Sequence, residues 1–289
     1  KLLRFVKIKN QDSKYLSKIS IYWGNRITDD IIQKAKNLKW IHFGSIGFDR
    51  VNINEMKSKK IMVTNSKGTM ESSVMVTILG FMISLSRGLN KIYDLRAINK
   101  LSRETFDKYF ERVSDLENQV CLIVGMGQVG LKLKKVCLSL GMKVLAIKKN
   151  NINNKKNIFS LKQLKNVIVK ADYVINLLPL NNETFEIFDR NLFKCMKKEA
   201  YFINVGRGKT VNENHLYEAL RKKIFAGGAL DVFYDEPLNK NSNLLKLQNL
   251  IITPHIAGLH NKYWQKESIL FERNLDRFLM SKKLINQLV

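Results

Sequence analysis

A two-lobed α/β fold built on a doubly wound parallel sheet is predicted by three features of the sequence. Short apolar strand runs alternate with helical segments along the whole chain. One of them, Val120-Cys121-Leu122-Ile123-Val124, passes directly into Gly125-Met126-Gly127-Gln128-Val129-Gly130, an amphipathic segment and a second strand run. The strand runs also fall into two groups, before residue 90 and after residue 119, which predicts two sheets. The 289 residues, 45% of them hydrophobic, suffice for one large domain or two ordinary ones. The expected division is a small first lobe over 1–92, an inserted nucleotide-binding domain over 93–260, and a helix over 261–289 that returns to the first lobe, with a ligand cleft between the lobes.

In the first lobe, residues 18–23 read as a strand, and Thr28 is a plausible N-cap for a helix over 29–36. Residues 40–43 and 61–64 are further short strands, the second ending at Asn65-Ser66-Lys67-Gly68. A long buried helix over about 71–87 follows. In the inserted domain the glycine turn carries the clearest physics. Gly125 makes the tight turn, Gly127 admits a pyrophosphate close to the backbone, and Gly130 lets helix and strand pack closely. The free N–H groups of the helix start then face the phosphates. Residues 143–147 are the next strand, and 172–178, 200–205, 225–232 and 250–253 complete the set. Residues 262–280 are amphipathic and helical.

Composition excludes several classes. No apolar run approaches the roughly 18 residues of a membrane span, and the start of the chain lacks a signal-peptide apolar region. The three scattered cysteines, Cys121, Cys137 and Cys195, read as reduced thiols of a cytoplasmic protein. The net charge of +25 is spread in lysine doublets such as Lys134-Lys135 and Lys222-Lys223. It would attract nucleic acid non-specifically at low salt. No zinc-finger, RNP-type or basic-heptad pattern accompanies it, so no specific nucleic-acid partner, membrane or metal site is expected. Solvated surface is the plainer reading of the charge, and an anionic cofactor and substrate would benefit from it.

Three polar signals follow strands in the second half: Asn204-Val205-Gly206-Arg207-Gly208, Asp231-Val232-Phe233-Tyr234-Asp235-Glu236-Pro237, and Thr253-Pro254-His255-Ile256-Ala257-Gly258. Ligands of open α/β sheets bind beyond the carboxyl ends of strands, which is where all three lie. Singly, a loop arginine is commonly a surface ion pair, Glu-Pro a turn, and a loop histidine merely solvated. Together they form a proton donor, a carboxylate that keeps it protonated, and a cation that can fix a carboxylate and polarise a carbonyl.

With Gly125–Gly130 and Leu177-Leu178-Pro179-Leu180, these segments make the chain resemble the D-isomer-specific 2-hydroxyacid dehydrogenase family. The likeness runs from about Ile19 to the end. Leu38-Lys39-Trp40-Ile41-His42-Phe43-Gly44-Ser45-Ile46-Gly47-Phe48-Asp49 is most similar to glyoxylate and hydroxypyruvate reductases. The resemblance implies a Rossmann-type domain inserted into a flavodoxin-like substrate domain, and NAD(P)-dependent reduction of a small 2-keto acid. It makes His255 the general acid, Glu236 its partner and Arg207 the group that orients the substrate. The backbone of Ser45, Ile46 and Gly47 would hold the substrate carboxylate, and Asp231 would contact the nicotinamide amide. Gly125, Gly127, Gln128, Val129, Gly130, Leu178, Pro179, Val205 and Gly258 would surround the cofactor. Glu236 speaks against a formate dehydrogenase, which resembles this chain in fold but pairs its histidine with glutamine. A homodimer formed through the inserted domain is typical of the family.

Cofactor choice has its own argument. An NAD enzyme offers an acidic residue to the ribose after the second strand. Here Ile147 is followed by Lys148 and Lys149, with no carboxylate near, a pair suited to a 2′-phosphate. NADP(H) is therefore favoured over NAD(H), although these lysines are also one more doublet in a lysine-rich chain. Two departures from the family pattern stand out. The strand and helix expected ahead of the segment matching Lys1 to Ser20 are missing, and Val76 stands near a position that is usually acidic, an altered structural contact. The competing reading is a catalytically weak, nucleotide-sensing interaction protein similar to the corepressors on this fold.

Overall fold

The computed structural model describes residues 13–25, 27–47, 51–108, 113–149 and 156–289. The chain divides into two compact units, residues 1–70 with 260–289, and residues 71–259.

In the first unit, helix α1 (Ser13–Leu16) precedes a parallel three-stranded sheet in the order β1 (Ile21–Gly24), β2 (Trp40–Phe43), β3 (Met62–Asn65). Helices α2 (Asp29–Lys34) and α3 (Ile53–Ser58) make the crossovers. Each is started by a side chain that accepts a free N–H of the first turn: Thr28 from Ile31, and Asn52 from Glu55. Ile31, Ile41, Phe43, Met56 and Val63 form the core on one side. On the other, Trp40 packs with Phe271 and Leu284 from the C-terminal segment. That segment is helix α11 (Tyr263–Leu279) and a tail whose Leu288 N–H bonds to Val63 O.

The second unit holds a seven-stranded parallel sheet. Its strands are β4 (Val120–Val124), β5 (Lys143–Ile147), β6 (Ile158–Phe159), β7 (Tyr173–Asn176), β8 (Tyr201–Asn204), β9 (Gly227–Leu230) and β10 (Leu250–Ile252), in the order β10-β9-β8-β7-β4-β5-β6. The direction in which successive strands are added to the sheet reverses between β4 and β7, the switch point at which such sheets bind ligands. Helices α7 (Gln128–Ser139), α8 (Leu164–Ile168), α9 (Arg190–Phe193) and α10 (Glu213–Arg221) connect the strands. Two apolar cores result. One joins Leu122, Val174, Phe193, Phe202 and Leu220; the other joins Ile123, Leu133, Ile175 and Ile203. With both faces covered, β7 and β9 are buried along their whole length, as parallel strands require.

The structure moves one expected boundary, from residue 92 to residue 70. Helix α4 (Glu71–Ser86) belongs to the second unit because Ile78, Phe81, Met82 and Leu85 pack into the core of Ile123 and Leu133. Helices α5 (Leu89–Ala97) and α6 (Arg103–Asp107) and the two-residue strand β6 were not anticipated. The first two are short and mostly exposed, and β6 is too short to show a strand pattern. The expectation of a missing first strand concerns chain ahead of Ser13, outside the described residues, as do Phe48 and Asp49. Val76, the departure on α4, is 60% exposed, while its neighbour Thr77 donates to Ala257 O at 3.3 Å. Among the described residues no single helix is long and apolar enough to cross a membrane.

Candidate active site

The glycine turn ends β4. Gly125 has φ of +109°, and a Cβ there would lie 2.8 Å from the Leu177 carbonyl, so both conformation and space demand glycine. A Cβ at Gly127 would meet nothing within 4 Å: this is an open cradle facing outward. Gly127 caps α7 without any side-chain hydrogen bond, and the first turn holds no acidic residue. The uncapped N–H groups and the helix dipole therefore favour an anion, and the residues present fit a dinucleotide pyrophosphate.

Beside it, β7 and β8 end in a pair of asparagines that the sheet register places side by side, Asn176 opposite Asn204. Both are buried with Thr210. Asn176 Nδ2 donates to Asn204 Oδ1 at 3.0 Å and to Thr210 Oγ1 at 2.7 Å, while its Oδ1 accepts the Leu178 N–H at 3.1 Å. Asn204 Oδ1 accepts the Gly206 N–H at 3.1 Å. Asn204 Nδ2 and Thr210 Oγ1 both donate to Arg207 O, at 3.3 and 2.6 Å. This network fixes the turns that carry Leu178, Val205 and Arg207, because a fully satisfied buried polar cluster has one low-energy arrangement. Arg207 Nη1 donates to Gly206 O at 2.8 Å.

His255 and Glu236 come together from the loops after β10 and β9, with Nδ1 2.8 Å from Oε2. The imidazole side chain is 51% exposed and the carboxylate 26%. The Glu236 hydrogen bond pushes the His255 pKa above the ordinary histidine value. Burial and the Arg207 charge oppose this, and the charges of Glu236 and Asp231 support it. Burial pushes Glu236 up, but the His255 hydrogen bond and charge, the Phe233 N–H and Arg207 together hold it below the ordinary carboxylate value. Arg207 is thus near enough for its charge to act on both partners. Since Glu236 takes Nδ1–H, the other ring nitrogen, Nε2, is the one left to exchange a proton.

His255 has φ of +56°, a left-handed conformation uncommon outside glycine. Asp231, 1% exposed at the end of β9, is the clamp that holds it. Its Oδ1 accepts from Thr253 Oγ1 at 2.6 Å and from the Ile256 N–H at 2.8 Å, and its Oδ2 accepts the Ala257 N–H at 2.9 Å. Three donors on either side of His255 therefore converge on one buried carboxylate.

Lys148 and Lys149 follow β5, as the sequence places them, but Lys149 Nζ lies 2.7 Å from Glu183 Oε2 of the loop after β7. The expected absence of a nearby carboxylate is corrected here: Glu183 is distant in sequence, and the pairing of β5, β4 and β7 brings the two loops to one edge. Pro179 O anchors the same loop by accepting from Thr184 Oγ1 at 2.7 Å. Gly258 follows the clamped segment. All of these residues lie in the second unit, at the carboxyl ends of its strands.

Ser45, Ile46 and Gly47 follow β2 in the first unit. Their carbonyls are taken by the Ser66 N–H at 3.1 Å, Asn65 Nδ2 at 2.7 Å and Ser45 Oγ at 3.0 Å. Sequence reasoning missed Asn176, Asn204, Thr210 and Thr253 as supports, and Glu183 altogether. One signal was available: two strands end alike, in Ile175-Asn176 and Ile203-Asn204.

Two family models match the chain: the NAD binding domain of D-isomer specific 2-hydroxyacid dehydrogenases over residues 79–257, and the catalytic domain over residues 12–133. A glyoxylate reductase of Thermofilum pendens is 30% identical over 256 residues, covering 87% of this chain and 75% of that one. Among solved structures, the D-lactate dehydrogenase of Aquifex aeolicus, complexed with NAD and lactic acid, matches with a TM-score of 0.80 at 26% identity. It covers 93% of this chain and 85% of that one. The NADPH-dependent glyoxylate/hydroxypyruvate reductase of Sinorhizobium meliloti, complexed with NADP and malonate, shares the fold with a TM-score of 0.84 at 20% identity, covering 98% and 89%.

Proposed function

The chain belongs to the D-isomer specific 2-hydroxyacid dehydrogenase family, and from that premise we propose that it reduces a small 2-keto acid such as glyoxylate or hydroxypyruvate to the D-2-hydroxy acid, with NADPH preferred over NADH. The observation that carries this reading is the 2.8 Å His255–Glu236 pair, with Arg207 acting on both, at the sheet edge that also holds the open glycine cradle. A nicotinamide cofactor, held by the glycine cradle, would supply the hydride. His255 gives its Nε2 proton to the carbonyl oxygen, and Glu236 stabilises the charged imidazole beforehand. Arg207 orients the substrate and favours negative charge on its oxygens. The carbonyls of Ser45, Ile46 and Gly47 are already engaged, so the N–H groups are what that turn offers, the polarity a carboxylate needs. Cofactor oxidation by the purified protein with glyoxylate and with hydroxypyruvate tests the reading; an absence of turnover with both and with a wider keto-acid panel would reject it.

The NADPH preference rests on Lys148 and Lys149. Replacing both by alanine is expected to weaken NADPH binding about tenfold or more and to leave NADH nearly unaffected, in keeping with the loss of charge-assisted contacts. Fluorescence titration of the two reduced cofactors reads this directly. Glu183 competes with a 2′-phosphate for Lys149, so Glu183→Gln should shift the balance further toward NADPH. Equal loss for both cofactors in the lysine variant would remove the argument.

The same reading includes a homodimer. The α4–α6 region exposes Val76, Ile83, Tyr93, Ile98 and Leu101, at 60, 43, 68, 59 and 56%. Exposed apolar side chains on these consecutive helices support an interaction surface there. Sedimentation velocity should show twice the monomer mass, and Tyr93→Lys with Ile98→Lys should return the monomer.

A further inference from the structure

Arg207 and Glu236 stand on separate loops, the first after β8 and the second after β9, and one substrate needs both at a fixed spacing. We propose that Glu213, the first residue of α10, is the positioning residue that joins them: it takes the Tyr234 N–H and so sets the Glu236 loop against the Arg207 turn. This role rests on the reading of Arg207, Glu236 and His255 as the reacting set.

Glu213 Oε2 accepts the Tyr234 N–H at 3.0 Å. One residue earlier, the Phe233 N–H goes to Glu236 Oε1 at 3.2 Å, and Glu236 Oε2 meets His255 Nδ1 at 2.8 Å. Two adjacent N–H groups of one loop are thus taken by two carboxylates, one that anchors the loop and one that holds the imidazole.

Glu213 is itself fixed. The segment before it lies beside residues 186–188. The Glu186 N–H donates to Lys209 O at 2.9 Å, the Phe188 N–H to Thr210 O at 3.1 Å, and the Asn212 N–H to Phe188 O at 3.0 Å. Asn212 caps α10 by accepting the His215 N–H at 3.0 Å, and its Nδ2 donates to Glu186 Oε2 at 2.8 Å. Phe188 and Val211 are buried. This post begins at Arg207, whose carbonyl oxygen accepts from Thr210 Oγ1. The Glu236 loop leans on the same post. A Cβ at Gly208 would overlap Phe233 O, so the two backbones touch. Lys209 Nζ lies 5.0 Å from the Tyr234 ring centre and 3.7 Å from Asp235 Oδ1, an exposed pair that adds little. The Glu213 bond is charge-assisted and part-buried, and is the strong directional one.

An acidic residue in a first helical turn also complements the helix dipole, but that role would change only helix stability. The charges acting on His255 are those of Glu236, Asp231 and Arg207. Glu213 therefore reaches the imidazole through the loop and not through its own charge.

The test is the titration of His255 by NMR in Glu213→Ala and Glu213→Gln, beside the pH profile of kcat/KM with whichever of glyoxylate and hydroxypyruvate is reduced. The chain has four histidines, and His255→Ala assigns the signal. Glu213→Ala frees the Tyr234 N–H and lets the Glu236 loop move off His255. The His255 midpoint and the alkaline limb of the profile are then expected to fall together by about half a pH unit or more, a fraction of the one to three units that a close counter-charge supplies. Glu213→Gln retains an amide oxygen for Tyr234 and should keep the wild-type midpoint. In a Glu236→Gln background, Glu213→Ala should move the midpoint no further, because the two act in series. An unmoved midpoint in Glu213→Ala, a glutamine variant that falls as far as alanine, or additive shifts in the double variant would each overturn the role. A protein that turns over no keto acid removes the reductase reading alone, and the NMR titration still decides the positioning.

Discussion

His255→Ala should lower kcat for keto-acid reduction by about 10²- to 10⁴-fold, the usual worth of a positioned proton donor, while cofactor binding persists. The side chain is half exposed and its hydrogen bond is to Glu236, so its loss empties no core and the variant should fold. Glu236→Gln separates the proton from its supply. In the wild type the imidazole is held above the ordinary histidine value, chiefly by the Glu236 hydrogen bond. Reduction needs the protonated form, so activity is present below that raised pKa and lost as pH rises through it. Without the carboxylate, burial and Arg207 act unopposed by Glu236, and the alkaline limb of the reduction profile must move to lower pH. A pH profile of kcat/KM for both proteins measures this. An unmoved limb in Glu236→Gln would show that another group donates the proton.

The same pair makes a stability contribution with a definite pH window. The raised His255 value stabilises the fold below the ordinary histidine pKa and is lost as pH rises through the folded one. The lowered Glu236 value stabilises above the ordinary carboxylate pKa and is lost as pH falls through the folded one. Between roughly pH 4.5 and 6.5 both contributions are complete, although the exposure of the pair keeps them small.

Asp231→Ala should be the most damaging single change to stability among the site residues, at about 3–5 kcal/mol. It leaves Thr253 Oγ1 and the Ile256 and Ala257 N–H groups without their shared acceptor in a buried place, each costing on the order of 1–3 kcal/mol, partly recovered by water. Activity should fall with it, because the carboxylate clamp on either side of His255, which supports its left-handed φ, is then lost. Denaturant unfolding measures the first effect, and turnover of the fraction that remains folded measures the second. Asp231→Asn retains one oxygen acceptor and should fall between wild type and alanine on both. A variant as stable as wild type would mean that the loop is held by other contacts.

The glycine turn was legible from sequence because its determinants are local. An apolar strand, a tight turn, an open cradle and an amphipathic helix are each set by residues a few positions apart, and glycine is required there by backbone sterics. The positions of Arg207, Glu236 and His255 at strand ends could be read for the same reason, since the continuous apolar runs of a parallel sheet stop where the sheet stops. The helices α5 and α6 could not be read, because they are short and bury almost no side chain, so little of their pattern is set by a core.

What the sequence by itself determined is therefore the fold class, the carboxyl edge on which the polar groups stand, and the types of group present there. Only the tertiary structure decided which of them meet. The pairing of β7 with β8 sets Asn176 against Asn204, the β9–β10 edge brings Asp231 under the His255 loop, and the spread of loops along one sheet edge lays Glu183 on Lys149. In the first unit the return of α11 puts Glu267 on His42 across 225 residues of chain. Strand register and helix return join residues that no local pattern links, because their energies come from burial and pairing at long sequence separation.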